Sequence, residues 1–84
     1  MTPKRKKEHI AVLKALIVAD GFEQDRFGNL KKETATGLYR FKFKQVALRF
    51  EKRMVDGRWI NLQSGTIVRC TGADIVAMLL RANR

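Results

Sequence analysis

Tyr39, Phe41 and Phe43 alternate with Arg40, Lys42 and Lys44, and then the phase slips. Val46, Leu48 and Phe50 carry the apolar set onward, with Arg49, Glu51 and Arg53 opposite. A period of two marks a strand that buries one face. A bulge or corner near Lys44-Gln45 would absorb the slip. A helical stripe through Tyr39, Phe43, Val46, Ala47, Phe50 and Met54 is the competing pattern. Aromatic enrichment and the turn signals that follow favour strands.

Asp56-Gly57 next marks a hairpin. A two-residue loop would set Phe50 opposite Gln63 and Arg53 opposite Ile60, which mixes the faces. A three-residue loop, Val55-Asp56-Gly57, puts Gly57 at the left-handed position it favours. That register sets Phe50 opposite Leu62 and Arg53 opposite Trp59, and one face is then mostly apolar. Ser64-Gly65 reads as a further turn, and Thr66 to Cys70 as a third strand. Upstream, Phe27-Gly28-Asn29 is the turn of a short hairpin within Phe22 to Glu33. Thr34 to Gly37 reads as a loop.

Helices flank this sheet. Thr2-Pro3 is a helix start and Asp20-Gly21 a stop, which predicts a helix over residues 3–20. Its body is Ile10, Leu13, Leu16 and Ile17, and its second half is apolar almost all round, a pattern of sandwiched helices. Thr71-Gly72-Ala73-Asp74 resembles a capping box. It opens a helix over residues 73–82 with Ile75, Val76, Leu79 and Leu80 expected in the core. On the sheet, Phe41, Phe43, Leu48, Phe50, Ile60, Leu62 and Val68 are expected to face them. The expected fold is α+β in two layers: an N-terminal helix, an antiparallel meander of three to five strands and a C-terminal helix. With 84 residues it is one small basic domain, residues 1–84, in which residues 1–8 read as a basic, frayed extension of helix 1.

Eighteen Lys and Arg face eight acids, a formal charge of +10. Self-repulsion on so small a domain is relieved by a polyanion, so nucleic acid is the first partner expected, DNA before RNA. One Cys and one His cannot close a zinc site, and a single Cys cannot form an internal disulfide. No Gly-rich phosphate loop, paired carboxylates or nucleophile elbow is present. We therefore expect no cofactor, no metal and no enzymatic activity, and a cytoplasmic setting. The apolar run Ile10 to Ala19 is interrupted by Lys14 and is too short to span a bilayer, so no membrane partner is expected.

Two groups of residues could grip a polyanion. Lys4, Arg5, Lys6 and Lys7 crowd a helix N-terminus whose dipole is already positive, a cost that phosphate contact offsets. Arg40, Lys42, Arg49, Arg53, Trp59, Asn61, Gln63 and Arg69 are expected on the polar sheet face. There Trp59 could stack on a base, or Arg53 could stack on its ring. Asn61 and Gln63 could read base edges. A small regulator or inhibitor of the phage or mobile-element kind, docking on an acidic protein surface, would use the same cations. The apolar circumference of both helices points to a homodimer, unless the helices pack on each other and the sheet.

Tyr39-Arg40-Phe41-Lys42-Phe43 resembles the aromatic-basic strands of RNA-binding sheets, without the glycines of that motif. The helix, strands, helix order is similar to that of double-stranded-RNA-binding domains. The final helix lacks their Lys-Lys-x-Ala-Lys start, so none of their site residues carries over. The strand-strand-strand-helix tail is similar in order to arm-type integrase DNA-binding domains, where the sheet enters a groove. That is order alone, and it assigns no family.

Overall fold

The computed structural model describes residues 1–84. Helix α1 (Pro3–Ala19) begins where Thr2 Oγ1 accepts from the Arg5 amide at 3.3 Å. It ends at Gly21, whose φ of 105° suits a residue without Cβ. Five strands follow: β1 (Glu23–Gln24), β2 (Leu30–Thr34), β3 (Gly37–Phe43), β4 (Ala47–Arg53) and β5 (Trp59–Thr66). They pair antiparallel in the order β1-β2-β3-β4-β5. A 3-10 turn (Ile67–Arg69) leads to helix α2 (Gly72–Ala82). The expected α+β arrangement is the observed one.

Each aromatic of β3 is placed by the alternation. Phe41 lies opposite Phe50 and Phe43 opposite Leu48, while Arg40 faces Glu51 and Lys42 faces Arg49 on the other side. Phe41 and Phe50 stack with centroids 4.9 Å apart, Tyr39 stacks on Phe50 at 5.6 Å, and Phe22 meets the edge of Phe41 at 5.2 Å. Both helices close over this face. Leu13 and Ile17 of α1 and Ile75, Met78, Leu79 and Ala82 of α2 join the aromatics in one buried cluster. Truncating Phe41 or Phe50 to Ala would cost about 3–5 kcal/mol by the usual scale for buried aromatics.

The helices run side by side in the same direction. Near their starts, His9 of α1 bonds the carbonyls of Ile67 and Cys70, just ahead of α2. At their ends, Asn83 Nδ2 donates to Asp20 Oδ2 at 2.8 Å. Lys32 of β2 ties both ends to the sheet, donating to the Asp20 carbonyl and to Asn83 Oδ1. The Thr71–Asp74 capping box is complete: Asp74 N donates to Thr71 Oγ1 and Thr71 N to Asp74 Oδ2.

Several expectations are corrected. The phase slip at Lys44-Gln45 is a tight turn between two strands, closed by Lys44 N donating to the Ala47 carbonyl, and not a bulge. The β4–β5 loop is the three-residue Val55-Asp56-Gly57, closed by Met54 N to the Arg58 carbonyl, with Gly57 at φ 89° and Arg53 opposite Trp59. The register does not persist. A bulge at Leu62 follows, so that Phe50 faces Gln63 and not Leu62. Ser64-Gly65 is no turn: β5 runs through it to pair Thr66 with Ala47. Thr66 to Cys70 is not a third strand, because Cys70 N turns back to the carbonyls of Thr66 and Ile67. Ile67 is consequently buried, while Val68 and Ile60, expected inside, are exposed.

The helices are also less enclosed than expected. In α2 the buried stripe is Ile75, Met78, Leu79 and Ala82, and Val76 and Leu80 face outward. This spacing of three, four and seven is the stripe of a helix laid on one surface. Likewise α1 buries Leu13 and Ile17 and exposes Val12 and Val18, so it is not sandwiched. No helix is long and apolar enough to cross a membrane.

Candidate nucleic-acid interface

Antiparallel order sorts the loops between two ends of the sheet. The β3–β4 turn and the close of β5 lie at one end, and the β2–β3 and β4–β5 turns at the other. The start of α1 sits at the first end. Lys6 Nζ donates to the Gln45 carbonyl in the β3–β4 turn at 2.7 Å. Lys14 Nζ lies 5.2 Å from the centre of the Phe43 ring. His9 Nε2 reaches the Cys70 carbonyl at 2.8 Å and that of Ile67 at 3.1 Å. Both partners accept, so this nitrogen carries the proton. His9 thus clamps the 3-10 turn bearing Arg69 to α1.

These ties bring together cations that are remote in sequence. Lys4, Arg5 and Lys7 project from the helix start, Lys44 stands on the adjoining turn, and Arg69 on the clamped segment, all exposed. Lys42 and its partner Arg49 are the sheet-face pair nearest that turn. Apart from Arg49, none of these side chains is in an ion pair. The helix-start cations and Lys44 therefore share one end of the molecule, while Lys42 and Arg49 approach that end on the sheet face opposite the helices. Lys44 lies outside the sequence-based set because its neighbours suggest a bulge or corner in a continuing strand, not a projecting turn.

Beyond the Lys42–Arg49 pair, the middle of the outer face is internally paired. Glu51 is buried at 3% exposure. Its Oε1 accepts from Arg40 Nε at 2.7 Å, and its Oε2 lies 3.3 Å from Arg49 Nη2. The Trp59 ring reaches from β5 across β4, and the Arg40 guanidinium lies 3.9 Å from its centre. Lys31 Nζ approaches the same ring at 5.7 Å and also pairs with Asp25 at 2.9 Å. Arg40, two strands away, therefore takes the stacking position expected for Arg53. Arg53 sits exposed at the opposite end of β4 from Lys44 and the helix start. Asn61 is exposed opposite Glu51.

Gln63 and Arg69 are not on this face. The Leu62 bulge sets Gln63 opposite the core residue Phe50, and its side chain lines a groove beside α2. Arg69 belongs to the 3-10 turn. The bulge had no sequence signal, since Trp59 to Thr66 lacks both charge and strict alternation.

Comparison with protein-family models, with curated proteins and with solved structures returned no match.

Proposed function

We propose that this protein binds nucleic acid, duplex DNA before RNA, through the cations at one end of the molecule. The observation that carries the reading is the Lys6–Gln45 bond, which joins the start of α1 to the β3–β4 turn. Lys4, Arg5, Lys7, Lys42, Lys44 and Arg69 then offer unpaired charge to successive phosphates. The first turn of α1 holds no acid, so the helix dipole adds to the attraction. Single-strand binding needs open aromatic platforms. Here Tyr39, Phe41 and Phe50 are buried and Arg40 covers Trp59, leaving Phe27 on the β1–β2 turn as the one exposed ring, which favours a duplex over a stacked single strand. A B-form major groove about 12 Å wide admits a helix start, whereas the major groove of A-form RNA is too narrow.

The test is a salt titration of binding to duplex DNA, single-stranded DNA and RNA. Four to six phosphate contacts give a log–log slope of about −4 to −5 with salt on duplex DNA. Replacing Lys4, Arg5 and Lys7 together by Gln should flatten that slope by about 2–3 and weaken binding. Replacing Arg53 and Arg58 at the far end should change little. A flat salt response, or equal losses from both ends, defeats the proposal. Association with a protein that survives nuclease treatment would favour the acidic-protein reading, which draws on the same cations.

A further inference from the structure

The two edges of the sheet are built differently. Edge strand β1 has two residues, and short length is a common protection against stray pairing. Edge strand β5 has eight residues, Trp59–Thr66, and no strand covers its far side. It carries no charge and no proline in a chain of net charge +10. Its one guard is the bulge at Leu62, which leaves Gln63 to Thr66 as an unbroken open stretch.

That stretch borders a groove of about 380 Å³, between β5 and the first half of α2. Leu48, Cys70 and Met78, all largely buried, floor it, and Arg69 and Asp74 supply its charges. Asp74 already accepts from the Thr71 amide in the capping box, while Arg69 is in no ion pair.

Gly65 is the informative residue. Its φ is not positive, so the backbone does not require glycine there. A Cβ built on it meets no atom within 4 Å, so packing does not require glycine either. It lies opposite Leu48, a core residue, so the Cβ would point to the helix side, into the groove. Glycine within a strand weakens it and often marks a place where another backbone approaches.

We propose that β5 and α2 form a docking groove for an extended segment of a partner protein, one with alternating apolar and acidic residues. The segment adds to the sheet along Gln63 to Thr66, its backbone pairing with the open edge. Its apolar side chains enter the groove over Leu48 and Met78. Its acidic side chains fall on the outer face, where Arg49 lies opposite Ser64. Arg69 at the groove takes one further carboxylate. A second copy of this chain is disfavoured as occupant, because pairing β5 with β5 brings two chains of net charge +10 together without any complementary acid on the strand.

A blocked decapeptide of alternating Val and Glu is the probe, with a Val–Lys peptide as control. Binding is read by fluorescence anisotropy, and its place by amide hydrogen exchange. The Val–Glu peptide should bind and slow exchange at Gln63 to Thr66, and the Val–Lys peptide should bind at least tenfold more weakly. Gly65→Val should weaken binding at least tenfold while leaving the thermal midpoint unchanged or higher, since valine favours strands. The proposal is overturned by equal binding of both peptides, by unchanged affinity in Gly65→Val, by protection elsewhere, or by no binding at millimolar peptide. Sedimentation showing a dimer that Gly65→Val dissociates would assign the groove to a second copy and overturn it too.

Discussion

Glu51 is the residue that most changes the meaning of the sheet charges. Read along the strand, it is one acid among cations on a polar face. Folded, it holds Arg40 and Arg49 and is closed off beneath them. Nothing in the period of two marks it as buried, because the burial comes from Arg40 and Trp59 reaching across neighbouring strands. Glu51→Gln should cost about 1–3 kcal/mol in chemical denaturation, the range for losing hydrogen bonds to charged groups. The same change releases positive charge on the outer face, so under the proposed function any affinity for duplex DNA should rise at low salt. Asp25 gives a second test at this scale. Lys31 beside it is the main reason its carboxyl titrates below the ordinary value of 3.8; burial opposes this next, and amide bonds from Asn29 and Phe27 add to the lowering. A depressed acid contributes stability above its unfolded value and loses it as the pH falls through the folded one. The stability advantage of the wild type over Asp25→Asn should therefore be full above about pH 4 and shrink below it, as read by acid-dependent urea titration.

At the scale of elements, the hairpins were legible wherever backbone chemistry forced a choice. Gly28 and Gly57 sit at φ 83° and 89°, where a side chain is strained, and both turns were read from them. Gly65 carried the same letter without that constraint, and it was misread as a turn. The caps were equally plain, since Thr2-Pro3 and Thr71–Asp74 satisfy amides within their own first turns. Thr71→Ala should lower stability by about 1 kcal/mol, measured by thermal or chemical denaturation. Asp74→Ala combined with it should cost less than the sum of the two, because the bonds are reciprocal. What eluded the sequence at this scale was the outward face of each helix. Val12, Val18, Val76 and Leu80 fit a core as well as Leu13 or Met78 does, and only the area of the sheet decides which are covered.

For the whole molecule the decisive quantity is where the +10 resides. Residues 1–14 hold five cations and one acid, and residues 38–58 seven cations and two acids, so most of the charge lies in two stretches of the chain. One lysine and one main-chain carbonyl join part of the second group to the first, while Arg53 and Arg58 stay at the far end. Crowded like charge destabilises the compact state, and salt screens it over about 8–10 Å at physiological strength. Raising sodium chloride from low to moderate concentration should therefore raise the thermal midpoint by a few degrees. The Lys4, Arg5, Lys7 triple Gln variant should show a smaller gain.

The order of the strands has a kinetic consequence. Each strand pairs only with its sequence neighbour, so the sheet assembles from local loops whose closure entropy is small. The distant meetings are made by the helices: α1 with α2, with the β3–β4 turn and with the segment just ahead of α2. Neither helix can bury its stripe until the hairpins between them exist, and Lys32, which bonds both helix ends, sits in the second strand of that sheet. Folding is therefore expected to begin in the central hairpins and to finish when the two helices close over them.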